Sequence, residues 1–419
     1  MAKVKITGHA SGSGVLTVTA PNTSTDRTIT LPDATATIAT TAATDALTAT
    51  TNTLTTRVNA GGRKNIIING DMQVAQRGTS STATGRKTVD RFLLSAAGQD
   101  EAVTQSQHAL TSGDTEVWAK GFRNSYHFTN GNQTSGAGAA DRVVIHQYIE
   151  SQDIANSGWN YNSSSSYITL SFWVKSSVAQ NFYGRLHSQD GTGQGYAFET
   201  GSLTANTWTK ITKAIPGHSN LTFDNDINLG LTLEILMFRG TDKTGSMSLD
   251  SWDAFVSGTR VPDMTTTWYT TNDATFEITG VQLELGSVAT DFEHRSYGEE
   301  LALCQRYYTT SFNTGVSHAD NAHEGVVSAA IAYSAATATI TSMAFPVKMR
   351  TSPSLTIYGR NAGTGNYAIY KSQTWTATTT ANNGTNESFI SLYLQPAGGG
   401  LTAHYSYQTS GHYDADAEI

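Results

Sequence analysis

Between Gly286 and Tyr308 the chain gathers Asp291, Glu293, His294, Arg295, Glu299, Glu300 and Cys304, its single cysteine. A thiol, an imidazole and several carboxylates are the ingredients of a nucleophilic site, in which a base activates the cysteine. The spacing argues against one. His294 and Cys304 stand ten residues apart, and Ser296 followed by Glu299 is the capping-box pattern that opens a helix between them. On that helix Leu301, Cys304 and Tyr308 share a face, so the thiol reads as a small buried side chain. Glu299 and Glu300 fall in the first turn, where the helix dipole favours negative charge. Asp291, Glu293 and Arg295 then read as charges pairing across a structural junction, with Glu299 and Cys304 on the helix beyond it.

Other constellations are weaker. His323 and Glu324 begin like a zinc-protease helix, but Val327 stands where the second histidine belongs and the segment alternates like a strand. Asp224, Asp226 and Asn228 have calcium-loop spacing, yet Leu229 occupies the position that requires glycine, which leaves a polar turn. Asp250 with Asp253, or Asp100 with Glu101, could be drawn as a glycosidase pair, although the separation such a pair needs is not set by sequence neighbours. No phosphate-binding glycine loop, nucleophile elbow or paired-cysteine motif occurs. The chain is therefore read as a non-enzyme.

Aromatic residues are the better lead. Sugar C–H faces stack on exposed rings while Asn, Asp and Gln bind the hydroxyls. The loops "NSGWNYNSSSSY" and "TTTWYTTND" offer Trp159, Asn160, Tyr161, Trp268 and Tyr269 for that purpose, against the alternative that such rings are core anchors.

The elements that must position these residues are strands. Only 14% of the 419 residues are charged and only seven are prolines, with Thr, Ser, Gly, Asn and Tyr abundant. β-Branched and aromatic side chains fit pleated surfaces, and Gly and Asn supply turns, so the expected class is all-β. Residues 1–40 alternate in two short bursts with too few large apolar groups for a core of their own. In residues 41–62, Thr44, Leu47, Thr51, Leu54 and Val58 form a narrow a/d seam, which suits a short neck helix paired with copies of itself, or else an extended linker. From residue 63 to about 296, short strands such as "YITLSFWVK" recur between turn signals, the pattern of a sandwich or jelly roll. Residues 297–419 follow with the short helix and a second β-rich sandwich.

The net charge of −8, without any run of Lys or Arg, excludes the usual footprint of a nucleic-acid binder. No stretch of 18 apolar residues is present, so membrane insertion is not expected, and "MAKVKITGHASGSG" lacks the apolar core of a signal peptide. One cysteine cannot form an internal disulfide, which suits folding in a reducing cytoplasm.

The ordered set "NIIINGDMQVAQRGTS", "TVDRFLLS", "RVVIHQYIESQDIANSGW", "YITLSFWVKSS", "TWTKITKAIPG" and "TFEITGVQLELGSVATDFEHRSYGEELALCQRYY" resembles a family of bacteriophage virion proteins, tail fibres or structural proteins. Their middle domain resembles a carbohydrate-binding-module jelly roll. "AFPVKMRTSPSLTI" and the closing "DADAEI" extend the likeness to residue 419. The resemblance implies tandem jelly-roll sandwiches in a homotrimer, attached by residues 1–40 to other phage tail or baseplate proteins. It implies a receptor-binding protein of the virion that recognises a bacterial surface polysaccharide without cleaving it, assembled in the host cytoplasm and released by lysis. A structural virion protein without sugar binding is the alternative, and a depolymerase ranks behind both. Such jelly rolls also imply a structural calcium near Asn69 and Asp71, although Thr279 and Gly280 stand where its second acidic ligand would be. No other cofactor is implied.

Overall fold

The computed structural model describes residues 64–313, 326–360 and 366–419, all within one unit, Thr53–Ile419. The expected attachment strands of residues 1–40, the neck at 41–62 and the His323–Glu324 pair lie outside the described residues.

The described residues are almost entirely β in their regular structure. Its first sandwich is two antiparallel six-stranded sheets. The first sheet runs, edge to edge, through Ser80–Ser81, Thr104–Ala109, Asn124–Thr129, Thr275–Leu285, Tyr167–Ser176 and Thr209–Pro216. The second runs through Trp252–Ala254, Gln194–Ser202, Asn181–Ser188, Leu229–Arg239, Arg142–Glu150 and Phe92–Ala97. Most neighbours in each sheet are non-consecutive in sequence, as the crossovers of a jelly roll require, the exceptions being Thr104–Ala109 beside Asn124–Thr129 and Asn181–Ser188 beside Gln194–Ser202.

Side-chain alternation sets the two faces of every strand. Along Tyr167–Ser176, Ile168, Leu170, Phe172 and Val174 enter the space between the sheets, where they meet Phe182, Leu186, Phe198, Leu233 and Ile235 from the other side. Each such fully buried side chain contributes about 1.5–3 kcal/mol. Thr169, Ser171, Trp173 and Lys175 face the other way.

The segment Asn65–Met72, which alternation alone suggests is a strand, is irregular. Asn69 and Met72 both take φ of 61°, which breaks the pleat. The segment is held instead by Asn65, whose Oδ1 accepts from Ile67 and Leu283 and whose Nδ2 donates to Val281 O. Gly70 packs so tightly that a Cβ there would lie 2.0 Å from Val281 O.

The second β unit is one eight-stranded antiparallel sheet that curls on itself. Ser406–Asp416 pairs on one side with Val326–Ala332 and on the other with Ala368–Lys371, and the chain of pairings between those two strands closes a barrel. Ile340, Ile369, Leu392 and Leu394 fill it. The C-terminal half of the same long strand pairs with Tyr308–Thr310 and Ser354–Tyr358.

The helix Tyr297–Gln305 stands between the two β units. Ser296 caps it in a full capping box: Ser296 Oγ accepts from Glu299 N, and Glu299 Oε2 accepts from Ser296 N at 2.9 Å. Among the described residues no helix is long and apolar enough to cross a membrane.

Candidate functional site

The Gly286–Tyr308 stretch is a joint. Arg295 donates to Glu293 at 2.8 Å and to Glu300 at 3.2 Å, and its Nη2 also reaches Asn65 O. Glu293 accepts from the backbone N–H of Lys64 and of Asn65, at 3.0 and 2.7 Å. Burial alone would raise the Glu293 carboxyl, but those two N–H groups and Arg295 hold it below the usual carboxylate range. Asp291 and Glu299 are exposed. His294 turns away from the helix, its Nε2 2.8 Å from Lys120 O and its ring against Phe122 and Phe292.

Cys304 is 1% exposed, packed among Ile68, Val74 and Tyr307. Burial, and then the charges of Asp90 and Glu300, push its thiol well above the ordinary value. A bulky maleimide is expected to leave the native protein unlabelled over a period that labels the urea-unfolded protein fully. Rapid labelling of native protein would place the thiol at the surface.

A calcium does not fit at Asn69 and Asp71. Asn69 Oδ1 accepts from Val74 N and its Nδ2 donates to Val74 O and Asp90 O, so the amide is already used within the protein. Asp71 offers one buried oxygen without a partner, Oδ1, against the six to eight that calcium takes. Burial raises this carboxyl to about 6. Thr279 donates its hydroxyl to Asn124 O, and Gly280 presses on Phe122.

The aromatic residues of the two loops are mostly core. Trp268 and Tyr269 are fully buried: the indole donates to Thr275 O, and Tyr269 stacks on Phe238 at 4.3 Å with its hydroxyl on Asp141. Trp159 is 3% exposed and its indole donates to Ser166 O. Tyr161 is half-buried, edge-on to Phe223 at 5.0 Å, and Asn160 is exposed beside it. Trp159, Trp268 and Tyr269 thus present no ring face to a sugar, because the loops that carry them fold back into gaps at the rim of the sandwich.

The carboxylate pairs are likewise occupied. Lys213 lies 3.2 Å from Asp250, and Asp100 accepts from the Ser135 N–H and hydroxyl, which holds it below its ordinary value where an acid catalyst needs the reverse. Asp226 accepts from Asn228, closing the predicted turn.

What the strands do assemble is a polar cluster on the outer face of the second sheet, buried over most of its length and half-exposed at its His187–Phe255 end. Glu234 stands opposite Arg185 on one neighbouring strand and His146 on the other; Thr232, one step along, stands opposite His187 and Tyr148. Arg185 grips Glu234 through two hydrogen bonds of 2.8 and 3.1 Å, both side chains buried. Burial would raise Glu234, but Arg185 and then His146 bring it down to about 2. Above the pair, Phe255 stacks on His187 at 4.1 Å and 26°, with Arg185 and Arg260 flanking the same ring at 5.1 and 5.7 Å. Gln189 Nε2 is 2.8 Å from His187 Nδ1 and 3.2 Å from Thr232 Oγ1. Burial lowers both His146 and His187 to about 4, so both rings are neutral at physiological pH. One end of the sheet face is closed by Met247, Leu249, Val261 and Met264 over Val144, Ala197 and Leu236, which leaves the His187–Phe255 end open.

Two further surfaces carry functional side chains. On the outer face of the first sheet, His108, His127 and Glu277 place ligand atoms within 4.8 Å of one another. Lys175 already supplies the cation, 2.8 Å from Glu277, and Ser125 donates to the same carboxylate at 2.7 Å. On the barrel, Ile331, Tyr333 and Tyr405 are exposed over half or more of their surface.

No protein-family model and no curated protein matches the chain in sequence. In structure, about half of it is similar to the enzymatically active domain of tailspike protein 4 from bacteriophage CBA120, at 12% identity and a TM-score of 0.27, covering 53% of this chain and 21% of the tailspike. The N-terminal cellulose-binding domain of Cellulomonas fimi β-1,4-glucanase C is similar at 9% identity and a TM-score of 0.25, over 52% of this chain and 99% of that one. A family 11 carbohydrate-binding module of Clostridium thermocellum, in complex with a mixed-linked tetrasaccharide, is similar at 10% identity and 0.22, over 52% and 99%. At these scores the functional reading rests on the chain's own residues.

The groove residues carry a sequence signal that is easily passed over. His146 and Tyr148, Arg185 and His187, and Thr232 and Glu234 are each i, i+2 polar pairs inside apolar strands. Such pairs mark one face of a strand, but only pairing across three strands shows that the faces are the same.

Proposed function

We propose that the chain binds a bacterial surface glycan non-covalently in the groove on the outer face of the second sheet, and serves a phage virion as a homotrimeric receptor-binding fibre. The observation that supports glycan binding most directly is the stacked His187–Phe255 pair, half-exposed beside the exposed side chain of Gln189. A flat ring pair takes a sugar's C–H face, and amides and hydroxyls beside it take its hydroxyl groups. Glu234, paired with Arg185 and held ionised, lacks the raised pKa of a general acid, which favours binding without cleavage. The virion role is supported by the sequence resemblance to phage tail proteins. In that reading residues 1–40 attach to the tail or baseplate, and three grooves act together for avidity.

The experiment is binding of the fluorescently labelled full chain to a panel of bacterial cells and their purified polysaccharides, for wild type, His187→Ala/Phe255→Ala and Tyr333→Ala/Tyr405→Ala. Binding by wild type and by the barrel variant, but not by the groove variant, is expected. Loss in the barrel variant alone would move the site to the barrel. Absence of wild-type binding to every host at micromolar concentration would favour a structural virion protein, and release of reducing sugar would establish a depolymerase.

A further inference from the structure

The groove carries more positive charge than its carboxylate can neutralise. Phe238 faces the core, stacked on Tyr269, so the next residue, Arg239, faces outward, where it pairs in register with Arg142 of the adjacent strand. Arg260 comes over the same face from the loop whose Val261 packs on Val144 and Leu236. With Arg185 these make four guanidiniums, and Glu234 is bonded to Arg185 alone. Among the described residues Arg142, Arg239 and Arg260 have no ion pair: Arg142 donates to Ser95 Oγ at 3.0 Å, and Arg260 to Ser257 O at 3.4 Å. Arg239 is 6% exposed, and its buried Nε has no hydrogen-bond partner at all.

Burying a guanidinium without a counter-charge costs free energy that an incoming anion recovers. An overall acidic chain that sets four arginines around the single carboxylate of Glu234 leaves an excess of positive charge there, which suits an oxyanion. Burial first brings Arg239 down to about 10; Glu234 acts against that, and the neighbouring guanidiniums Arg260, Arg185 and Arg142 add to it. Glu199 and Asp263, which lie beside Tyr183, are bonded to Asn181 and to Thr244.

We propose that the groove selects an acidic polysaccharide, with Arg260 holding a carboxylate, sulfate or phosphate group of a sugar whose ring rests on His187 and Phe255, and with Arg239 and Arg142 adding positive charge from farther along the face. This rests on the groove being the glycan site, and adds the chemical class of the glycan. The probes are oligogalacturonate as the carboxylated ligand, dextran sulfate as the sulfated one, a phosphorylated mannan as the phosphorylated one and plain dextran as the neutral one. Each is titrated into the intact chain at low and at physiological salt.

At least one acidic probe is expected to bind at least about tenfold tighter than dextran, more tightly at low salt, and to lose about tenfold on Arg260→Gln. Arg260 is half-exposed, so this variant keeps the fold, and Arg239→Gln reads the buried member of the set. Which acidic probe wins distinguishes carboxylate from sulfate or phosphate. Equal affinity for dextran and for all acidic probes would overturn the acidic selectivity while leaving the groove a glycan site. Acidic binding that survives both arginine substitutions would likewise overturn it, as attraction by other charges. Failure of every saccharide, neutral and acidic, would remove the glycan-site reading itself.

Discussion

Glu418→Ala is expected to destabilise the protein by about 3–5 kcal/mol, the usual cost of deleting one member of a buried ion cluster. Glu418 lies one residue from the C-terminus, yet its side chain is 4% exposed and faces three arginines of the first sandwich. It pairs with Arg91, with Arg86 at 3.3 Å and with Arg77 at 3.6 Å. Arg77 keeps Asp90 and Asp416 when Glu418 is removed, but Arg86 and Arg91 lose their carboxylate partner. Arg91 is 2% exposed and lies flat on Tyr307 at 3.4 Å, so water does not replace the missing charge. The loss reaches further, because the same tail ties the barrel to the sandwich. Arg350 donates to Ala417 O, Glu418 O and Ile227 O, and Ile419 packs beside Cys304 and Tyr307. Burial would raise the Glu418 carboxyl, but Arg91, Arg86 and Arg77 hold it below the ordinary range. A depressed carboxyl contributes stability above its unfolded value and loses it as pH falls through the folded one. Urea unfolding should therefore show wild type losing an acid-sensitive increment that Glu418→Ala lacks throughout. A midpoint for the variant matching wild type at neutral pH would mean that the cluster is not what joins the β units.

Glu234→Ala is expected to cost about 3–5 kcal/mol as well, and to weaken glycan binding by disordering the strand face on which His187 stands. Arg185 would be left buried without a partner, among Arg142, Arg239 and Arg260. The wild-type pair contributes stability above about pH 4.5 and loses it as pH falls toward 2, since the folded carboxyl is held down to about 2. Arg185→Met/Glu234→Leu removes both charges and is expected to recover much of the stability, because a buried pair replaced by apolar side chains of like volume is often neutral. The wild-type groove should bind equally well from pH 8 down to about 5, because His146 and His187 stay neutral until about 4. Calorimetric titration and unfolding on the same samples separate the two effects, and a stable, fully binding Glu234→Ala would show the pair to be incidental.

The all-β class is legible in the sequence because period-2 alternation and turn residues are local signals, and Ser296 with Glu299 marks the helix start in the same local way. Asn65–Met72 misleads for a physical reason: two residues at positive φ break a strand that the apolar pattern alone would extend. The ring-bearing loops mislead differently. Gly and Asn around Trp159 do mark a turn, but the sequence holds no information on whether the turn folds back over the rim, and it does, with the indole bonded to Ser166 O. The groove is hidden for the opposite reason, since "LTLEILMFR" is buried on both faces, one by the core and one by the covering loop, so Glu234 and Arg239 look like interruptions of a core strand. The tail cluster has no local signature at all, because Arg77, Arg86 and Arg91 lie more than 300 residues before Glu418.

The most direct test is equilibrium titration of an oligosaccharide, cut from whichever polysaccharide the chain binds, into wild type and His187→Ala/Phe255→Ala with their urea midpoints matched. Saturable wild-type binding, at least about tenfold weaker in the variant, is predicted from the loss of both stacked rings. Equal affinity in two equally stable proteins would contradict the assignment of the groove as the glycan site.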